Sequence, residues 1–162
     1  MVKTREVIDT QENCREAALR SLDRAAQSRA ALEAKLLQRG FSPETVTTVT
    51  ERFVEVGLLD DAEYAAALVR TRHQERGLAR RAIATELARK GITGDTASRA
   101  LFSIDDDAER NMALVVAQQT LISTEGLDPA VRYRRALAKL ARRGYSSELA
   151  YHAVQQALGE AV

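Results

Sequence analysis

Cationic side chains are the most concentrated chemical resource in this chain. Arg70–Lys90 carries Arg70, Arg72, Arg76, Arg80, Arg81, Arg89 and Lys90 against Glu75 and Glu86, a net charge of +5. Asp128–Arg143 carries Arg132, Arg134, Arg135, Lys139, Arg142 and Arg143 against Asp128, again +5, whereas Glu44–Glu63 sums to −5. Twenty of the 24 basic residues are arginine, whose planar fork meets phosphate or carboxylate through two parallel hydrogen bonds. The whole-chain charge of +1 therefore conceals two basic segments and an acidic one. Such segments suit a nucleic-acid backbone or an acidic protein surface, and the alternative for any single residue is a solvated charged face.

Other chemistry is poorly supplied. Cys14, His73 and His152 share no helix and fall at no zinc-ligand spacing. A glycine-rich phosphate loop, a dinucleotide fingerprint and a Gly-x-Ser-x-Gly nucleophile turn are all missing from the sequence. Asp105, Asp106, Asp107 and Glu109 could in principle hold Mg²⁺, but carboxylates collect at helix N-termini for dipole reasons alone, and they are read as capping residues. The expectation is a protein that is no enzyme, with no cofactor and no metal. A single cysteine forbids an internal disulfide, and Met1–Cys14 has no apolar stretch of signal-peptide length. The longest apolar runs, Tyr64–Val69 and Met112–Ala117, fall far short of the roughly 20 residues that cross a bilayer. A cytoplasmic location without membrane contact is expected.

The elements that must position these cations are helices. Apolar residues make up 45% of the 162 but aromatics only 4%, so the core must be filled by Ala, Leu and Val, which suits close helix packing. Two prolines and eight glycines are too few to punctuate a many-stranded sandwich. Three of those glycines mark an internal repeat. Gly40, Gly91 and Gly144 are each preceded by Arg39, Lys90 or Arg143 and followed by Phe41-Ser42, Ile92-Thr93 or Tyr145-Ser146, with Leu36, Leu87 or Leu140 four residues earlier. A helix that ends by passing through the left-handed region needs glycine there, and the next apolar residue then folds back onto the leucine. Ser42, Thr93 and Ser146 are expected to cap the helix that follows, helped by Pro43 and by Glu44, Asp95 or Glu148.

A further helix precedes each such pair, with Asp60–Glu63 and Asp106–Glu109 at capping-box spacing and Asp128-Pro129 opening the helix before Gly144. The nine helices are expected over 12–25, 28–39, 43–56, 61–75, 78–90, 94–102, 106–122, 129–143 and 146–158. The fold class is therefore all-α: three tandem three-helix repeats over 12–57, 58–103 and 104–162, stacked into one elongated, curved helical-repeat body behind a disordered tail at 1–11. On the helix before Gly144, Arg132, Arg135, Lys139 and Arg142 form a basic ridge beside the apolar stripe of Tyr133, Leu137 and Leu140. Arg81–Phe102 resembles a helix-turn-helix, but Gly94-Asp95-Thr96-Ala97-Ser98 lacks Asn, Gln or Lys where a recognition helix reads bases. Sequence-specific DNA reading ranks low.

Two segments carry a family resemblance. Gly57-Leu58-Leu59-Asp60-Asp61-Ala62-Glu63-Tyr64-Ala65 resembles the G-L/Y-L-D/N-D-x-x-Y/F-A signature of RecX-family regulators of the RecA recombinase, and Leu68-Val69-Arg70-Thr71-Arg72 continues it. Arg81, Ile83, Glu86, Leu87, Lys90, Gly91 and Ile92 similarly supply the family's R-x-I-x-x-E-L-x-x-K-G-I segment. The turns at Gly40 and Gly144 extend the likeness from about Cys14 over nearly the whole chain, the third unit matching mainly in helix pattern and turn. The resemblance implies a non-enzymatic negative modulator that lies in the groove of RecA filaments on single-stranded DNA, as a monomer when free. It would block filament growth, ATP hydrolysis, strand exchange and coprotease activity.

Arg70, Arg72, Arg76, Arg80 and Arg81 are the first candidate ridge for RecA or DNA, and Arg132, Arg135, Lys139 and Arg142 the second. The signature residues Gly57, Leu58, Asp60, Asp61, Tyr64, Glu86, Leu87, Lys90 and Gly91 are read as structural, with Tyr64 packing between units. The alternatives are a non-specific nucleic-acid-binding helical protein that does not need RecA, and a passive helical scaffold.

Overall fold

A computed structural model describes residues 6–160. Among them nine α-helices follow one another without a strand: α1 (Gln11–Arg24), α2 (Arg29–Gln38), α3 (Pro43–Glu55), α4 (Asp61–Arg70), α5 (Arg80–Arg89), α6 (Gly94–Leu101), α7 (Asp106–Ser123), α8 (Pro129–Arg142) and α9 (Ser147–Glu160). Of the tail expected over 1–11, residues 1–5 lie outside the described residues, Glu6–Thr10 are exposed and non-helical, and Gln11 opens α1. The fourth helix differs from expectation in kind. It is α-helical only to Arg70, and Thr71–Glu75 widen into a π-helical turn in which His73 Nδ1 lies 2.9 Å from the Leu78 carbonyl oxygen.

All three glycine turns close as their spacing predicts. The amides of Phe41, Ile92 and Tyr145 donate to the carbonyl oxygens of Leu36, Leu87 and Leu140 at 3.3, 2.9 and 3.1 Å, and each apolar pair is buried in one cluster. Capping is more varied. Ser42, Asp60, Asp128 and Ser146 accept from amides of the first turns they precede. Thr93 does not, because Gly94 follows at φ +60° and distorts the turn it would have capped. At α7 the cap is Asp105, which accepts from Ala108 N at 2.7 Å, rather than Asp106, which is drawn to Arg80.

The helices pack in successive threes, and each trio has its own buried cluster. The first centres on Leu32, Leu36, Val46 and Phe53, and the second on Val69, Ile83, Leu87 and Ile92. In the third, Ala113, Ala117, Ala136, Ala150, Ala153 and Ala157 let α7, α8 and α9 approach closely. Leu59 joins the first cluster and Ala79 the third, so the middle unit lends a residue to each neighbour.

Repeats join by one device used twice. The start of α2 sits on the turn that ends α5: Ser28 Oγ donates to Lys90 O at 2.5 Å, Arg29 N to Asp61 Oδ1 at 2.9 Å, and Ala30 lies directly over Gly91. The start of α5 sits on the turn that ends α8: Ala79 N donates to Arg143 O at 2.9 Å, Arg80 N to Glu109 Oε1 at 2.9 Å, and Ala82 lies over Gly144. In each seam a carboxylate from the next repeat satisfies an amide at the positive end of a helix. α8 needs no such partner, since Pro129 at its first position has no N–H. The molecule exposes 10716 Å², about a third more than the roughly 8,000 Å² of a compact chain of 17.8 kDa, as a row of stacked units should.

Candidate functional site

The first expected ridge divides into two groups. Arg72, on the π turn, donates to both carboxylate oxygens of Glu86 at 2.7 to 3.0 Å. Arg80 bonds Glu109, Asp106 and the Ile104 carbonyl oxygen at 2.6 to 3.2 Å, which ties α5 to the third repeat. These two guanidinium groups hold the fold together, while Arg70, Arg76 and Arg81 are exposed. The second ridge divides likewise. Arg132 Nη2 donates to Leu121 O at 2.7 Å, while Arg135 and Arg142 are exposed and Lys139 is half-buried.

Parts of both ridges meet at one place. An open groove of ≈ 740 Å³ runs between α5 and the end of α8. Arg81, Arg89 and Lys90 line it from α5 and Arg142 from α8, over a floor that includes Leu78, Ala82, Gly144 and Tyr145. Arg81 and Arg89 lie eight residues apart, two helical turns, and so share the outer face of α5. Glu86 is the one carboxylate among the lining residues, and Arg72 compensates its charge. The Arg72 hydrogen bonds hold that carboxyl below its ordinary value against the opposing effect of burial. Tyr145 adds no negative charge, because burial pushes its phenol well above the usual range and its hydroxyl donates to Gly77 O at 2.7 Å. Arg143 Nη1 bonds Arg76 O, so the third repeat also holds the loop after the π turn. The groove thus gathers four cations with no carboxylate partner among the described residues along one seam, suited to a polyanion.

Sequence reasoning did not place Arg89 and Lys90 in this groove, although the spacing of Arg81 and Arg89 was the available signal. The pairing of Arg80 with Glu109 had none, because it joins residues 29 apart. Several signature residues make contacts within the fold. Gly57 turns the chain at φ +79°, Asp60 caps α4, Asp61 caps α2 from the next repeat, and Leu87, Lys90 and Gly91 build the turn on which α2 rests. Tyr64 packs against the second cluster and faces the groove between α1 and α4. The carboxylates of Asp105, Asp106, Asp107 and Glu109 each meet an amide or an arginine. Cys14 is fully buried, and burial pushes its thiol up. Among the described residues no helix is long and apolar enough to cross a membrane.

Comparison with known proteins agrees over most of the chain. Residues 14–53 match the family model described as RecX, first three-helix domain, and 60–101 match RecX, second three-helix domain. Regulatory protein RecX of Thermobifida fusca is 41% identical over 150 residues, covering 93% of this chain and 81% of that one. Regulatory protein RecX of Streptomyces coelicolor is 40% identical over 152 residues, covering 94% and 81%. The crystal structure of RecX from Lactobacillus salivarius superposes with a TM-score of 0.77 at 20% identity, covering 91% of this chain and 96% of that one, a likeness of fold.

Proposed function

The chain belongs to the RecX family, and from that membership we propose that it is a negative modulator of the RecA recombinase, acting on RecA filaments on single-stranded DNA. The observation that carries the reading is the convergence of Arg81, Arg89, Lys90 and Arg142 on one groove at a seam between repeats. A filament presents the same acidic or phosphate-bearing surface many times over. A rod with several modest contacts gains avidity on such a polymer and little on an isolated subunit. In this reading the cations of the groove, together with Arg70, Arg76, Arg135 and Lys139 elsewhere on the two ridges, meet RecA carboxylates or DNA phosphates in the filament groove. Binding there opposes filament growth, and with it ATP hydrolysis, strand exchange and coprotease activity. The protein acts as a regulatory ligand rather than an enzyme, with the unpaired cations of the basic seam supplying the contact.

The test is RecA ATP hydrolysis on single-stranded DNA, with the protein titrated from well below RecA up to equal stoichiometry, beside binding to bare oligothymidylate at the same salt. Loss of hydrolysis at substoichiometric protein is the expected result. Unchanged hydrolysis together with tight, salt-sensitive binding to the bare strand would replace the reading with general nucleic-acid binding.

A further inference from the structure

We propose that the groove between α1 and α4, at the seam of the first and second repeats, is a docking site for a cationic peptide segment of a protein partner, gripped through an aliphatic side chain. The inference stands on this groove alone and does not depend on the basic seam or its ligand.

The groove has a volume of ≈ 420 Å³ and an apolar floor to which Leu22, Ala26, Tyr64 and Leu68 contribute. Leu58 stands in its wall 50% exposed, an aliphatic side chain left at the surface by the α3–α4 turn. The polar groups around that floor are weighted toward acceptors. Asp60 and Glu63 bring two carboxylates. Gln27 donates through Nε2 to Ser21 O and Ser21 Oγ at 2.9 and 2.8 Å, which leaves its buried Oε1 with no donor among the described residues. Arg72 also reaches the groove, but its fork is taken by both oxygens of Glu86 and does not offset the acidic rim.

Such a lining selects against a polyanion and for a segment with lysine or arginine around an aliphatic anchor, the anchor covering Leu58 and the cations meeting Asp60 and Glu63. The signature residues Gly57, Leu58, Asp60 and Tyr64 all line this groove.

The experiment uses the full chain, labelled with ¹⁵N, and a fluorescein-labelled twelve-residue peptide of repeated Lys-Leu-Lys. A second peptide carries serine in place of every leucine, and an oligothymidylate represents a nucleic-acid ligand. The expected result is amide shift changes centred on Gln27, Gly57, Leu58, Glu63 and Tyr64 with the leucine peptide. Affinity should fall about tenfold or more with the serine peptide, and equally with Leu58→Ser or Glu63→Lys. Both substitutions are at exposed side chains, so an unchanged melting temperature shows that the fold is intact. Equal binding of the two peptides would reduce the site to charge attraction and overturn the proposal. So would shifts mapping elsewhere, absence of binding, or oligothymidylate competing at these residues.

Discussion

At the seam between the first and second repeats, Ala30 stands over Gly91 and Asp61 accepts from the amide of Arg29; at the next seam, Ala82 stands over Gly144 and Glu109 accepts from the amide of Arg80. The joints are the same, yet the grooves at the two seams differ in sign. The first offers Asp60, Glu63 and an apolar floor, and the second offers Arg81, Arg89, Lys90 and Arg142. The difference teaches where such an array is free to vary. The contact that sets the spacing of one unit on the next is made by backbone, a small residue and one carboxylate. Side chains a turn away are released from that duty and can be given over to ligands.

The likeness of the joints is tested most severely at the glycines. A Cβ at Gly91 would run into Ala30, and one at Gly144 would lie 2.7 Å from the Cβ of Ala82, while Gly40 at the outer edge meets only Val7 at 3.8 Å. All three have positive φ. Gly40→Ala should therefore cost only the conformational term, about 1 to 2 kcal/mol. Gly91→Ala and Gly144→Ala add overpacking of about 1 to 3 kcal/mol and should lose about 3 kcal/mol or more by urea unfolding. Equal losses at all three positions would show that clearance between repeats plays no part.

The contrast in the grooves predicts a separation of effects. Reversing Arg81, Arg89 and Arg142 to Glu should raise the concentration needed for half inhibition of RecA on the order of 100-fold with helicity unchanged, since each exposed cation contributes a charge-assisted contact. Leu58→Ser should leave bare-strand binding untouched. If the triple variant inhibits like the parent protein, the basic seam is not the filament contact.

The smallest effect is a pH dependence confined to the basic groove. Folding holds the Glu86 carboxyl below its ordinary value of 4.5 by its hydrogen bonds to Arg72. The folded state thus favours the ionised form, and this contribution is complete above about pH 4.5 and disappears as pH falls through the lowered folded value. Glu86→Gln should be less stable than the parent near neutrality, with the two denaturation midpoints converging as pH falls below the ordinary carboxylate range. A constant gap between them across that range would show that the pair contributes no pH dependence.

Local chemistry was legible in the residues themselves. Leu36, Gly40 and Phe41 and their two counterparts specify a helix end within six positions, because every bond in that turn is local. Periodicity and caps placed the helices and divided them into threes for the same reason, and a motif around Gly57–Ala65 was enough to suggest the family. Which arginines face solvent was not legible. Arg72, Arg80 and Arg81 read alike in a basic run; only packing within the second repeat brings Glu86 onto the first, and only stacking on the third repeat brings Glu109 onto the second, while the third is left free. The second duty of Gly91 and Gly144 was hidden in the same way, since Ala30 and Ala82 lie 61 and 62 residues away in the chain. Charge pairing and close approach are properties of space, and the chain's own order records them only where partners are neighbours along it.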